Sequence, residues 1–252
     1  EAGVTPDLLF TSMLRRAIMT ANLAQHPALW LTLTVAVYLA GDWLYRKTRC
    51  MPLLHPVFVS VAVLIGLLKL TGVSYQQYFE SARFIHLLLG PATVALAIPL
   101  YANLSRVRQM LGPLSIALVV GGLVGILSVL LLGKLFGLSP AVLTSLAPKS
   151  VTTPIAMALA DHLGGSASIA AVAVVVTGVM GTMMVGAVMK TLHIHDDAIA
   201  GFALGLSAHG TGTARAFQIS STAGAFAGLG MGLNGVFTSL ALPAVLAAWH
   251  LY

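Results

Sequence analysis

Long apolar runs alternate along the chain with short polar interruptions, and the runs fall into two kinds. A helix that crosses the hydrocarbon of a bilayer needs about 20 mostly apolar residues. Residues 28–44, 52–70, 114–135, 168–189 and 226–251 meet or approach that length, and residues 79–101 do so with interruptions at Gly90-Pro91 and Pro99. The other runs are too short to cross. Residues 140–147 stop at Pro148-Lys149-Ser150, and a second short run, 154–163, follows Thr152-Thr153. Residues 198–208 stop at His209-Gly210-Thr211-Gly212 and resume over 214–219. The pattern predicts an all-α, polytopic transmembrane helix bundle in which interrupted helices, broken or re-entrant, alternate with whole ones. It reads as one transmembrane domain over 1–252. Residues 1–27 form an N-terminal segment whose stretch 8–23, carrying Arg15 and Arg16, suits an interfacial helix; 28–135 form a first half, and 139–252 a second half holding two breaks.

Composition agrees with the pattern. Of 252 residues 58% are hydrophobic and 8% charged, whereas a soluble domain carries about 25% charged residues. Thirteen Lys and Arg stand against seven Asp and Glu, but they are scattered and no aromatic-basic stripe accompanies them. Nucleic acid is therefore not the partner indicated; the lipid bilayer is. The basic loops at Arg46, Lys47 and Arg49 and at Arg106 and Arg108 place those loops in the cytoplasm and the N-terminus outside, as in a multi-pass membrane protein. No signal peptide is read near the start. Cys50 is the one cysteine, so neither an intrachain disulfide nor a cysteine-based metal site is expected.

Chemistry concentrates at the two breaks. Non-helical backbone in hydrocarbon is tolerated where it is buried in protein or lines a wet cavity. Thr152 or Thr153 is placed to cap a helix opening at Pro154, and Thr211 or Thr213 a helix opening at Ala214, while Gly210 and Gly212 allow close backbone approach. Lys149, His209 and Arg215 would then converge with two helix N-termini, and no carboxylate lies within either break, which suits an anion. An offset of about sixty residues lays one break over the other in the order short helix, break, short helix, long helix, and Gly90-Pro91 reads as a degenerate third copy. Blander readings compete. Lys149 can snorkel to an interface, Arg215 can pair with lipid phosphate or Asp161, and His209 can pack between helices. Glu80, Arg83 and His86 read as a group at the membrane edge, and His193, His195, Asp196 and Asp197 as a solvated loop before a metal site. Ser207 near His209 lacks a triad context, so no catalytic residue, metal or cofactor is assigned and no enzyme is read. Glycines at four-residue spacing (Gly121 and Gly125, Gly201 and Gly205, then Gly224, Gly228 and Gly232) predict close helix approach, the last three as one ridge.

The stretches Leu88-Leu89-Gly90-Pro91-Ala92-Thr93-Val94-Ala95-Leu96-Ala97-Ile98-Pro99-Leu100-Tyr101, Ala147-Pro148-Lys149-Ser150-Val151-Thr152-Thr153-Pro154-Ile155-Ala156 and His209-Gly210-Thr211-Gly212-Thr213-Ala214-Arg215-Ala216 resemble the LrgB/CidB family of bacterial membrane proteins, to which the plastidal glycolate/glycerate translocator is related. His55-Pro56 departs from the Asn-Pro of many relatives, and Gln218-Ile219-Ser220-Ser221 lacks an acidic residue expected there. The resemblance implies two functions. One is a secondary transporter of small monocarboxylates of the glycolate, glycerate, pyruvate or lactate type, proton-coupled, a homodimer working by elevator-type alternating access. The other is a holin/antiholin-like protein regulating murein hydrolase export and cell lysis beside a small LrgA/CidA-type membrane protein. The residues at the breaks favour the transporter. In it Lys149 and Arg215 neutralise the small carboxylate anion, and Ser150, Thr152, Thr153, Thr211 and Thr213 hydrogen-bond it with backbone help from Gly210 and Gly212. His209, or alternatively Asp161, carries the proton.

Overall fold

The structure is a computed structural model that describes residues 27–48 and 54–249. Every regular element named below is an α-helix, and no strand occurs among the described residues. The segment 8–23, Arg49 and Cys50 lie outside them. Four helices are long and apolar enough to cross a membrane, spanning Ala28–Lys47, Leu111–Leu135, Ala167–Thr191 and Ser221–Ala248, so the all-α polytopic reading holds. The chain divides into two compact units, the first ending at Val94 and the second beginning at Ala95.

In the first unit α1 (Pro27–Lys47) packs along α2 (Pro56–Thr71), and α3 (Tyr75–Ala95) follows. Gly41 lets α1 approach, since a methyl there would lie 3.3 Å from the Pro56 carbonyl oxygen. His55 caps α2: its Nδ1 accepts the Val57 N–H at 3.3 Å, while Pro56 takes the first helical position, where no donor is needed. The imidazole thus does here what an asparagine cap would do. Buried Trp30 meets Tyr78 edge-on at 5.8 Å, and Thr34 shares a 3.1 Å hydrogen bond with the Tyr78 hydroxyl. α3 runs through Gly90-Pro91 and gives way only at Leu96, so the third break expected at Gly90-Pro91 is not there. The cause lies ahead of it. A proline ring clashes with the carbonyl four residues back, and Pro99 places that clash at Ala95, the last residue of α3.

The second unit contains α4 (Ala97–Ala102), α5 (Leu104–Gln109), α6 (Leu111–Leu135), α7 (Pro140–Leu146), α8 (Thr153–His162), α9 (Ala167–Thr191), α10 (Asp197–Ile219) and α11 (Ser221–Ala248). Although α6 was grouped with the first half on sequence, it packs against α7, α10 and α11. Two buried clusters, each joining three helices, are among those that hold the unit. Ile126 and Leu130 of α6 meet Leu143 of α7 and Leu242 and Leu246 of α11. Val185 of α9 joins Leu204 and Ala216 of α10 with Ala223 and Ala227 of α11. Between α10 and α11 the contact is backbone on backbone: methyls at Gly201 and Gly205 would collide with the carbonyl oxygens of Ala223 and Ala227. Small residues win close approach here, as expected between helices without bulky interdigitation. Gly224, Gly228 and Gly232 do not form one ridge. The first faces the Phe217 ring, the second Leu96, and the third open space.

The His-x-His-Asp-Asp stretch terminates one helix and begins the next. His193 adopts the left-handed conformation (φ 55°) that closes α9, with the Ile194 N–H donating to Met189 O at 2.9 Å. Asp196 caps α10 by accepting the Ala198 N–H at 2.8 Å and receives Arg106 at 2.8 and 2.7 Å.

Candidate functional site

The first break is a folded turn. Between α7 and α8 the Lys149 N–H donates to Leu146 O at 3.1 Å and the Val151 N–H to Pro148 O at 3.2 Å; Thr152 is then extended (φ −65°, ψ 149°). Thr152 occupies the N-cap position of α8, yet its hydroxyl makes no capping bond. A threonine cap serves the N–H of the second or third helical residue; the second is Pro154, which has none, and the hydroxyl makes no bond to the third, Ile155. Thr153 is already the first residue of α8, so neither threonine caps as expected.

The second break is a single residue. His209 sits at φ 44°, ψ −131°, a region that costs a non-glycine residue about 1–3 kcal/mol, and the backbone is helical on both sides. The helix resumes at Gly210 and not at Ala214, so Thr211 and Thr213 lie within it; Thr213 Oγ1 donates back to His209 O at 2.9 Å instead of capping. The His209 ring is buried and its Nε2 lies 3.0 Å from Val174 O on α9. A carbonyl only accepts, so that nitrogen carries the proton. Gly178 makes the room: a methyl there would stand 2.8 Å from Nε2 and 2.9 Å from Thr211 Oγ1. Gly212 is pressed against the Leu204 carbonyl and leaves no space for a side chain.

Both breaks meet at one side chain. Asn234 of α11, 1% exposed, donates from Nδ2 to Ser150 O at 3.2 Å and to Leu206 O at 2.9 Å, and its Oδ1 accepts from Thr238 Oγ1 at 3.2 Å. Beside it opens a cavity of about 590 Å³ walled by α6, the first break, α9, α10 and α11. Gly121 and Gly125 of α6 and Gly181 of α9 keep its walls thin, and its polar lining comprises Ser128, Lys149, Ser150, Thr177, Ser207, Asn234 and Thr238. No carboxylate is among the lining residues. The Lys149 ammonium is half-buried and its hydrogen-bond partner among the described residues is Ser150 Oγ, at 3.4 Å. The ion pairs among those residues join Arg46 to Asp42 and Arg106 to Asp196, leaving Lys149 outside both. A second recess of about 550 Å³, apolar apart from Lys149, Ser168 and Thr177, borders the first at Lys149, Val176 and Thr177.

Of the residues picked out on sequence, Lys149 and Ser150 line the larger cavity; Thr152, Thr153, His209, Gly210, Thr211, Gly212, Thr213 and Arg215 do not. Arg215 is exposed and donates to Gln218 Oε1 at 2.8 Å, and Asp161 is exposed near the end of α8. Helical geometry explains the shift: once α10 continues past His209, residues 210–215 point around the helix and not across a loop. Asn234, Thr238, Ser128 and Thr177 were missed. Asn234 carried a readable signal, because an amide inside an otherwise apolar helix must find partners.

Comparison with known proteins matches residues 34–248 to the LrgB-like family. The chain is 36% identical over 219 residues to the uncharacterized protein YwbG of Bacillus subtilis (strain 168), covering 86% of this chain and 96% of the relative. It is 35% identical to the uncharacterized protein YxaC of the same organism, over 87% of this chain and 95% of that one. The antiholin-like protein LrgB of Bacillus subtilis is 30% identical, with 86% and 94% covered. No solved structure matches.

Proposed function

This chain belongs to the LrgB-like family, a multi-pass membrane protein, and we propose that it is a secondary carrier of small monocarboxylates in the bacterial inner membrane. One observation carries the reading: a cavity between two interrupted helices holds one lysine ammonium and no acidic group. A charge so placed is costly unless it finds a counter-ion. A carboxylate seated against Lys149 Nζ and Ser150 Oγ supplies one, and the 2-hydroxy or 2-oxo oxygen of a glycolate- or pyruvate-like acid suits the hydroxyls of Ser207 and Thr177. Lys149 also borders the second recess, which supports a single binding point approached from two sides. A pore would instead favour a polar stripe along whole helices. Proton coupling, an elevator motion and a homodimer belong to the same proposal. His209 and Asp161 stand off the cavity lining, so either would act on the proton from outside it.

The relatives favour a second reading, and their names support it more directly than they support a carrier. Among them is an antiholin-like protein LrgB, a name in line with the holin/antiholin-like alternative that the resemblance implies, regulation of murein hydrolase export and cell lysis beside a small LrgA/CidA-type membrane protein. Purified protein in liposomes separates the two. The carrier gives saturable glycolate or pyruvate uptake that shows counterflow and varies with a pH gradient. Unsaturable release of dyes larger than the cavity, or no flux of either acid, would overturn it in favour of the second reading.

A further inference from the structure

At each interruption a backbone carbonyl accepts from the same side-chain amide. The N–H four residues beyond Ser150 would belong to Pro154, which has none. Four residues beyond Leu206 lies Gly210, on the far side of the non-helical His209. Asn234 Nδ2 donates to these two oxygens, at 3.2 and 2.9 Å. Its Oδ1 is occupied by the Thr238 hydroxyl at 3.2 Å. Both side chains are buried, at 1% and 3% exposure. Two donor hydrogens and one acceptor are therefore committed within the protein, and the amide keeps no donor for a ligand even though it borders the cavity.

We infer that Asn234 is a positioning residue: it ties the tip before α8 to the tip before the His209 kink, so that Lys149 and Ser207 face one cavity as a single rim. The residues that follow or precede the two carbonyls make the consequence concrete. Lys149 adjoins Ser150 and Ser207 adjoins Leu206, so a slip of either carbonyl moves a lining side chain. The two carbonyls only accept and so turn the NH2 toward themselves, and Thr238 completes the set by donating its hydroxyl to Oδ1. Gly122 leaves room for the Phe237 ring beside the amide, since a methyl there would collide with that ring. The tie itself stands on geometry alone; its effect on ligand affinity rests on the carrier reading above.

Hydrogen exchange on the full chain in nanodiscs tests the tie without any ligand. Asn234→Leu keeps the volume and removes the donors, and loss of hydrogen bonds to buried acceptors should speed amide exchange by about tenfold or more. The acceleration is expected at 149–153 and at 207–212 together, with α9 unchanged. Thr238→Val is the gentler variant, expected to move both segments in the same proportion by less. Acceleration at one segment only, at neither, or equally throughout α9 would overturn the inference. A second arm measures glycolate uptake: Asn234→Leu should raise the half-saturation concentration about tenfold with the maximal rate less affected. Coupled exchange in a protein whose parent takes up no glycolate would sink the carrier reading and leave the tie standing. Uncoupled exchange with normal uptake would do the reverse.

Discussion

The contact between α10 and α11 makes a stability prediction that also reaches the cavity. Gly205→Ala places a methyl onto the Ala227 carbonyl oxygen and 2.8 Å from its Cα. Both are backbone atoms, so the strain cannot be relieved by a rotamer change and the helices must separate. Overpacking of this kind costs about 1–3 kcal/mol, while alanine in place of glycine gains about 1 kcal/mol of helix propensity. Gly232→Ala supplies the reference. It lies within α11 with nothing near its would-be methyl, and so carries the propensity gain without the collision. The difference between the variants isolates the collision, and Gly205→Ala should be the less stable by about 1–3 kcal/mol. Reversible unfolding in mixed micelles titrated with a denaturing detergent measures it. Leu206 and Ser207 follow immediately, so the same variant should weaken anion binding as the rim shifts. Equal stability of Gly205→Ala and Gly232→Ala would refute the backbone-on-backbone packing of these helices.

Lys149→Met should raise the half-saturation concentration for glycolate by about tenfold or more, the scale of a charge-assisted hydrogen bond, with folded protein still recovered. Arg215→Ala should change it by less than about twofold, because that guanidinium is exposed and bonded to Gln218; equal losses in the two variants would restore Arg215 to the site. Charge counting adds a selectivity prediction. One ammonium neutralises one carboxylate, and a second carboxylate would remain uncompensated in a cavity without another cation. In competition uptake, glycolate and pyruvate should therefore exclude label at concentrations where oxalate and malonate at neutral pH do not.

Much of the fold was legible because apolar run length is a strong signal, and the four spanning helices lie where the runs do. The second break misled for a physical reason. Gly-Thr-Gly-Thr has the composition of a loop, but the backbone is helical from Gly210 onward, with Thr213 Oγ1 bonded back to His209 O, so the departure is confined to His209. Of the two interruptions expected in residues 79–101, the one at Pro99 is present, its four-residue reach falling at Ala95, and the one at Gly90-Pro91 is not. At the site, Lys149 and Ser150 were visible as a polar break between short runs. Asn234 was readable as an amide within an apolar helix that must find partners, but periodicity does not say which partners those are.

The sixty-residue offset acquires a different meaning once the contacts are known. The order of elements repeats, with α7, α8 and α9 answering to the two arms of α10 and then α11. The local devices do not: two prolines and a turn make the first break, and one strained histidine makes the second. What repeats is the job of the long helix that follows. At that offset Val174 of α9 falls opposite Asn234 of α11, and each reaches back to a break, Val174 O by accepting from His209 and Asn234 by donating to Ser150 and Leu206. Backbone at a break inside an apolar bundle must be satisfied by neighbours; Asn234 serves two carbonyls, whereas Val174 O accepts the imidazole N–H of the kinked residue. The amide of Asn234 engages carbonyls, the negative ends of the interrupted ladders. Lys149 is the one charged side chain lining the cavity, which supports the anion site of the carrier proposal.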